Sequence, residues 1–277
     1  MRYLTPSTLD DAFDLLTTHD LAVVAGGTDF FPSRHRHELH TDILDVTRIA
    51  GLSGIEFSEN RWKIGAATSW TDIARTELPE AFRGLQMAAL EVGSLQIQNR
   101  GTIAGNLCNA SPAADGVPPL LTLDASVELG SARGFREVPL SDFITGVRQT
   151  QRISDEIVTA IYLPASPDGA IGHFEKLGAR RYLVISITMT AAIIDIDAQG
   201  RISDARVAVG AASAVAQRLE DLETELIGQN PETVEISPRH LAPLSPIDDV
   251  RGDAEFRLEA VAEQCLRAIK EASQRHG

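Results

Sequence analysis

Apolar positions in the first half of the chain switch between helical and strand-like spacing. Leu9, Ala12, Phe13, Leu15 and Leu16 recur at helical intervals behind Ser7 and Thr8, either of which can cap the helix they predict. Leu21 to Ala25 is an unbroken apolar run that ends at Gly26-Gly27, the pattern of a buried strand and a turn. Ile43 to Val46 predicts another short strand. Gly54 to Phe57 and Arg61 to Ala66 flank Glu59-Asn60 and predict a hairpin. Thr71 to Thr76 reads as a helix capped by Thr71. Glu80 to Val92 reads as a longer helix with Leu85, Ala88, Ala89 and Val92 on its buried face. Pro118 and Pro119 suit the first turn of a helix carrying Leu120, Leu121 and Leu123. Ala125 to Leu129 and Gly134 to Val138 predict a second hairpin, and the β-branched run Glu156 to Leu163 a strand closed by Pro164.

The pattern breaks at Pro164 to Gly172, PASPDGAIG, the best candidate for a domain boundary. Beyond it, Ile171 to Lys176, Val184 to Asp197 and Arg201 to Val209 are strand-like, with a turn at Asp197 to Gly200. Ala216 to Ile227 reads as helix and Pro231 to Pro246 as irregular chain. Asp253 caps a last helix whose stripe is Phe256, Leu258, Val261, Ala262, Cys265, Leu266 and Ile269. At 1.5 Å per residue it is about 30 Å long. Cys265 on that stripe is a core residue.

Composition narrows the function classes. The chain has 277 residues, enough for one large or two small domains. A net charge of −14 argues against a general nucleic-acid binder or a binder of anionic membranes. Apolar runs stop well short of roughly 18 residues, so no membrane span is expected. The start, MRYLTPSTLDD, lacks a signal-peptide core, so a cytoplasmic protein without disulfides is the expectation. Cys108 and Cys265 are the two cysteines and cannot supply the four thiolates of an ordinary iron–sulfur cluster. Any such cluster belongs to another chain.

Three stretches carry candidate chemistry. Asn99 to Asp124, NRGTIAGNLCNASPAADGVPPLLTLD, crowds small residues and turn formers ahead of one carboxylate, Asp115. Small residues let backbone approach a ligand closely. Taken alone, the stretch also fits a surface loop. Leu21 to Phe31 places glycines after a strand, where backbone N–H groups can form a nest for phosphate oxygens. Taken alone, it also fits an ordinary strand–turn. Neither stretch has the spacing of a Rossmann fingerprint or a P-loop. In Gly172 to Tyr182, Lys176 ends a strand and Arg180-Arg181 follow, a candidate site for an anion or an electron-rich ring, or simply a solvated basic corner. Ser33 to His40, SRHRHELH, brings His35, His37 and His40 close together, but the ligand set is incomplete and the stretch reads as a solvated loop. No Ser-His-Asp or Cys-His arrangement points to nucleophilic catalysis.

Together these stretches resemble the FAD-binding subunit of the molybdenum hydroxylases, the family of xanthine dehydrogenase, aldehyde oxidase and aerobic carbon monoxide dehydrogenase. The carriers are AGGTD (Ala25 to Asp29), TIAGNLCNASPAAD (Thr102 to Asp115) and FEKLGARR (Phe174 to Arg181). The resemblance covers nearly the whole chain. It implies an α+β fold, in which a two-subdomain PCMH-type FAD-binding unit precedes a small C-terminal domain of antiparallel sheet plus helices. The FAD-binding unit spans 1–166, with subdomains about 1–52 and 53–166, and the C-terminal domain spans 172–277. The resemblance also implies site roles. Val24, Ala25, Gly26, Gly27, Thr28 and Asp29, with Thr102, Ile103, Ala104, Gly105 and Asn106, wrap the adenine-side phosphates through backbone N–H groups. Asp115 bonds the ribityl or flavin end, Val158 lies against the ring system, and Lys176 approaches the N1/O2 edge. Gln98 stands where the family often has Arg, Ala104 where it has Gly, and Cys108 where it has a small or apolar residue.

The implied function is electron transfer as an oxidoreductase subunit. Electrons pass from a molybdenum cofactor on a large subunit, through [2Fe-2S] centres on a small subunit, to FAD here and on to NAD or another acceptor. No residue of this chain is expected to act on the organic substrate or to bind a metal. Two other readings remain open at this point: a non-catalytic FAD- or nucleotide-binding module or assembly scaffold, and a stand-alone flavin oxidase of the vanillyl-alcohol-oxidase type. The short C-terminal region disfavours the oxidase.

Overall fold

The computed structural model describes residues 1–33, 41–181 and 183–274. The His-rich stretch through His35, His37 and His40 lies outside them.

The first unit holds β1 (Tyr3–Leu4), α1 (Leu9–Thr18), β2 (Leu21–Val24), α2 (Phe30–Ser33) and β3 (Asp42–Asp45). Thr8, not Ser7, caps α1 by accepting from the Asp11 N–H at 3.2 Å. β3 lies between β1 and β2 in a parallel three-stranded sheet. Phe13 and Leu16 of α1 pack with Leu21 and Leu44 beneath it.

The second unit begins with β4 (Ile55–Ser58) and β5 (Arg61–Gly65), a hairpin whose turn residues Glu59 and Asn60 both sit at positive φ, as a tight two-residue connection requires. The short helices α3 (Trp70–Arg75), α4 (Arg83–Glu91), α5 (Leu95–Gln98), α6 (Ile103–Asn109) and α7 (Val117–Thr122) follow. The chain then forms β6 (Ser126–Ser131), β7 (Gly134–Pro139), α8 (Leu140–Phe143), β8 (Ile144–Gly146), β9 (Gln149–Thr150) and β10 (Ile157–Pro164). β4, β5, β10, β6 and β7 make one five-stranded antiparallel sheet, with β10 at its centre.

The third unit is β11 (Ile171–Leu177), β12 (Thr188–Ile196), β13 (Ile202–Gly210), β14 (Gln217–Arg218), α9 (Glu220–Leu226) and α10 (Ala254–Ser273). Its four strands run antiparallel in chain order. Asp253 caps α10, whose Val261, Cys265 and Ile269 are fully buried against Ile194 and Val207. Each such aliphatic side chain contributes about 1.5–3 kcal/mol. The unit is fused to the second one. A Cβ on Gly172 would lie 2.3 Å from the Ala81 carbonyl oxygen, so backbone meets backbone there. Arg218 and Arg206 also both pair with Asp124 across the junction, at 2.8 and 3.1 Å.

The structure corrects several sequence expectations. Ser69, not Thr71, caps α3, in a reciprocal capping box with Asp72. Glu80–Phe82 is a 3₁₀ turn, and α4 proper starts at Arg83. The strand expected from Val184 begins at Thr188. The helix expected from Ala216 begins at Glu220, because Gln217 and Arg218 pair with β13. The small-residue stretch after Asn99 contains the helix α6, hidden by residues of low helix propensity and built by the Thr102 cap.

Candidate functional site

A cleft of about 720 Å³ opens between the first and second units. One wall is β2 and the loop after it. The opposite wall is α6, with the β8–β9 hairpin at its far end. Val24 to Asp29, Thr102, Ala104 to Asn106 and Val158 line this cleft, whereas Ile103 is a fully buried core residue. The sequence therefore placed two separate motifs on facing walls of one cavity.

The loop after β2 is shaped by contact. A Cβ on Gly26 would stand 1.7 Å from the Arg100 carbonyl oxygen, so only glycine lets this loop lie on the Arg100-Gly101 backbone. Gly27 has φ +70°, and a Cβ there would meet the Phe31 ring at 2.6 Å. Among the described residues, the N–H groups of Gly26, Gly27, Thr28 and Asp29 have no acceptor. Four successive backbone donors without acceptors on a cleft wall suit anionic oxygens.

α6 presents a different wall. Its first N–H groups are already engaged: Ile103 donates to Thr68 O at 3.1 Å and Ala104 to Ala66 O at 3.2 Å. Gly105 donates to Thr102 Oγ1 at 3.1 Å and Asn106 to Thr102 O at 3.0 Å. The expectation that the backbone of Thr102 to Asn106 wraps phosphates meets, from Ile103 to Asn106, donors that the fold uses to seat the helix. Asn106 Oδ1 is buried without a partner. A buried polar atom left unpaired costs about 1–3 kcal/mol, which a bound donor relieves. Ala104 has helical backbone, so the loss of the family's Gly costs nothing in conformation.

Asp115 and Lys176 lie together beside the cleft without lining it: a Cβ on Gly116, the next residue, would stand 3.1 Å from Asn106 Oδ1 on the cleft wall. Asp115 sits in the turn between α6 and α7, and Lys176 near the end of β11. Lys176 Nζ donates to Asp115 Oδ2 at 2.7 Å and to Glu91 O at 3.1 Å. Their side chains are only 9% and 7% exposed. Ser186 Oγ donates to Asp115 Oδ1 at 2.5 Å. Burial pushes the Asp115 carboxyl above its usual range, against the opposing pull of Lys176 and Ser186. Two of the three ammonium donors are used, which leaves one for a ligand.

Sequence reading missed four residues here. Ser186 lies in the apolar stretch LVIS and gave no signal. The Glu91 carbonyl is backbone and has no side-chain signature. Arg148 and Arg152 line the far end of the cleft. Arg148, at φ +60°, donates to Asn109 O at 3.0 Å, and its N–H donates to Ala110 O at 2.9 Å. This cation covers the C-terminal carbonyls of α6, where the helix dipole favours it. Cys108 is exposed and also lines the cleft. No group of metal-ligating side chains occurs among the described residues, and none of their helices is long and apolar enough to cross a membrane.

Residues 1–166 match the family described as the FAD binding domain in molybdopterin dehydrogenase. Residues 173–272 match the CO dehydrogenase flavoprotein C-terminal domain. The sequence is 33% identical to the nicotine 6-hydroxylase medium subunit of Paenarthrobacter nicotinovorans, over 99% of this chain and 98% of that one. It is also 33% identical to the xanthine dehydrogenase FAD-binding subunit of Escherichia coli O157:H7, over 98% and 95%. The fold superposes on a crystal structure of the Cu,Mo-CO dehydrogenase in its cyanide-inactivated form. That match has a TM-score of 0.91 at 26% identity, covering 99% of this chain and 97% of that one.

Proposed function

The chain belongs to the family of FAD-binding medium subunits of the molybdenum hydroxylases, and we propose on that premise that it holds FAD across the cleft and passes electrons through it. The reading is carried by the four acceptor-free N–H groups of Gly26 to Asp29. They fit the pyrophosphate, each hydrogen bond to a charged oxygen contributing about 1.5–3 kcal/mol. Thr102, Ala104, Gly105 and Asn106 form the opposite wall, with Thr102 Oγ1 engaged as the cap of α6. Val158, buried on β10, offers an apolar surface to the ring system. Lys176, with its remaining donor, faces the N1/O2 edge, and Asp115 holds that lysine in place. A cation at that edge stabilises the negative charge of the reduced ring and raises its potential.

FAD, when bound, supplies a redox centre between an iron–sulfur donor and a final acceptor. The partners in this reading are a large subunit with the molybdenum cofactor and a small subunit with [2Fe-2S] clusters, and the acceptor is NAD or another oxidant. The working units are the FAD-binding unit 1–166, divided near residue 52, and the C-terminal unit 172–277. The separate sheet of each segment supports that division.

Gentle isolation of the tagged native protein, followed by metal analysis and a visible spectrum, tests the reading. Molybdenum, iron and flavin eluting together is the expected result. Flavin without metals would support a binding module in place of an electron-transfer subunit. Neither flavin nor metals would refute the site.

A further inference from the structure

Ser186 is 1% exposed, and its hydroxyl is aimed at a carboxylate from another unit of the chain. The backbone of the next residue, Ile187, is held at both its N–H and its carbonyl. Ile187 N donates to Leu177 O at 2.7 Å, and Ile187 O accepts from the buried Arg257 guanidinium. Arg257 is fixed in turn by Asp249 at 2.7 Å. The backbone that carries the hydroxyl is therefore anchored to β11 and α10, independently of the carboxylate it meets.

The carboxylate depends on that hydroxyl. Among the described residues, Ser186 is the one donor to Asp115 Oδ1, and Lys176 the one donor to Oδ2. Lys176 is also the one charged group bonded to it. A buried carboxylate with one oxygen unpaired is costly, and it relieves the cost by turning or by taking up a proton.

We propose that Ser186 is a positioning residue for the flavin-facing lysine: by holding Asp115 Oδ1 it keeps Oδ2 on Lys176 Nζ, and so sets how much of the ammonium charge reaches the cofactor. This rests on the FAD reading above. Without the hydroxyl, the carboxylate offsets the ammonium less, whether it turns away or is protonated. Glu91 O still holds the lysine, so reduced flavin gains stabilisation and the potential rises.

The test is a spectroelectrochemical titration of FAD in the purified complex. Ser186→Ala should shift the potential upward, in the same direction as Asp115→Asn but by less, and Ser186→Thr, which keeps the hydroxyl, should return it to the native value. A native potential in Ser186→Ala with full FAD content would overturn the proposal. If that variant does not accumulate in folded form, Ser186→Cys, a weaker donor, is read instead: an upward shift supports the role and a native potential overturns it. A native complex that holds no flavin would overturn the FAD reading itself, an outcome distinct from a flavin whose potential ignores Ser186.

Discussion

The two ends of this site handle charge by different means. At the loop after β2, recognition in the proposed site is left to the backbone: four N–H groups, two glycines without room for a side chain, and no lysine. At the junction of the second and third units it falls to side chains, where Asp115, Lys176 and Ser186 form a buried chain of bonds between 2.5 and 2.7 Å. The backbone end carries no titrating donor and depends on shape. The side-chain end can be tuned, because one proton on Asp115 changes what a ligand feels. A cofactor with a fixed anionic diphosphate and a ring of variable charge fits that division.

Several substitutions sharpen this contrast. Lys176→Met should have the largest effect, because it leaves Asp115 buried without its charge partner, bonded to Ser186 alone. Removing one partner of a buried pair costs about 3–5 kcal/mol, readable by denaturant unfolding at neutral pH. Burial already holds the Asp115 carboxyl high, so the neutral form is the cheaper one to bury. The penalty should therefore shrink as the pH falls through the folded pKa of Asp115. A penalty that does not change with pH would break the assignment of charge to this end.

At the other end, Gly26→Ala must displace the loop from Arg100 O. FAD affinity should fall at least 100-fold, about 2.8 kcal/mol, with no pH dependence from this loop, as measured by flavin retention on dilution. Unchanged retention would mean that the loop does not hold the phosphates.

Thr102→Val should cost about 1 kcal/mol of stability through the lost cap of α6. It should leave FAD affinity within a few-fold of native, because the α6 N–H groups are engaged inside the protein. A large loss of affinity would return phosphate binding to α6.

The smallest effect expected is in potential. Asp115→Asn should lie above the native value at alkaline pH, with the gap closing on acidification as native Asp115 takes up its own proton. A gap that widens on acidification would reverse the sign assigned to Asp115.

Where the sequence was informative, the reason is local. The Asp253 cap and the helical stripe through Val261, Cys265 and Ile269 specify α10 without tertiary help, and Glu59-Asn60 specifies its hairpin. α6 was not legible, because Gly105 and two asparagines hide a helix that depends on Thr102 and on acceptors from residues 66 and 68. The glycine loop stood out as a motif, but its use of N–H groups did not, since whether a donor is free depends on chain folded elsewhere. Ser186 was invisible for the same reason: its partner is 71 residues away. Asp115 and Lys176 stand 61 residues apart in the chain, and only the fold shows that they bond to each other.

The most direct test compares the flavin bound by the natively purified protein with that bound by its Gly26→Ala variant, after each is supplied with FAD. A flavin spectrum with stoichiometric FAD in the native protein, and its loss in the variant, is the expected result. A native protein that stays colourless, or a variant that keeps its FAD, would contradict the backbone cradle on which the proposed function rests.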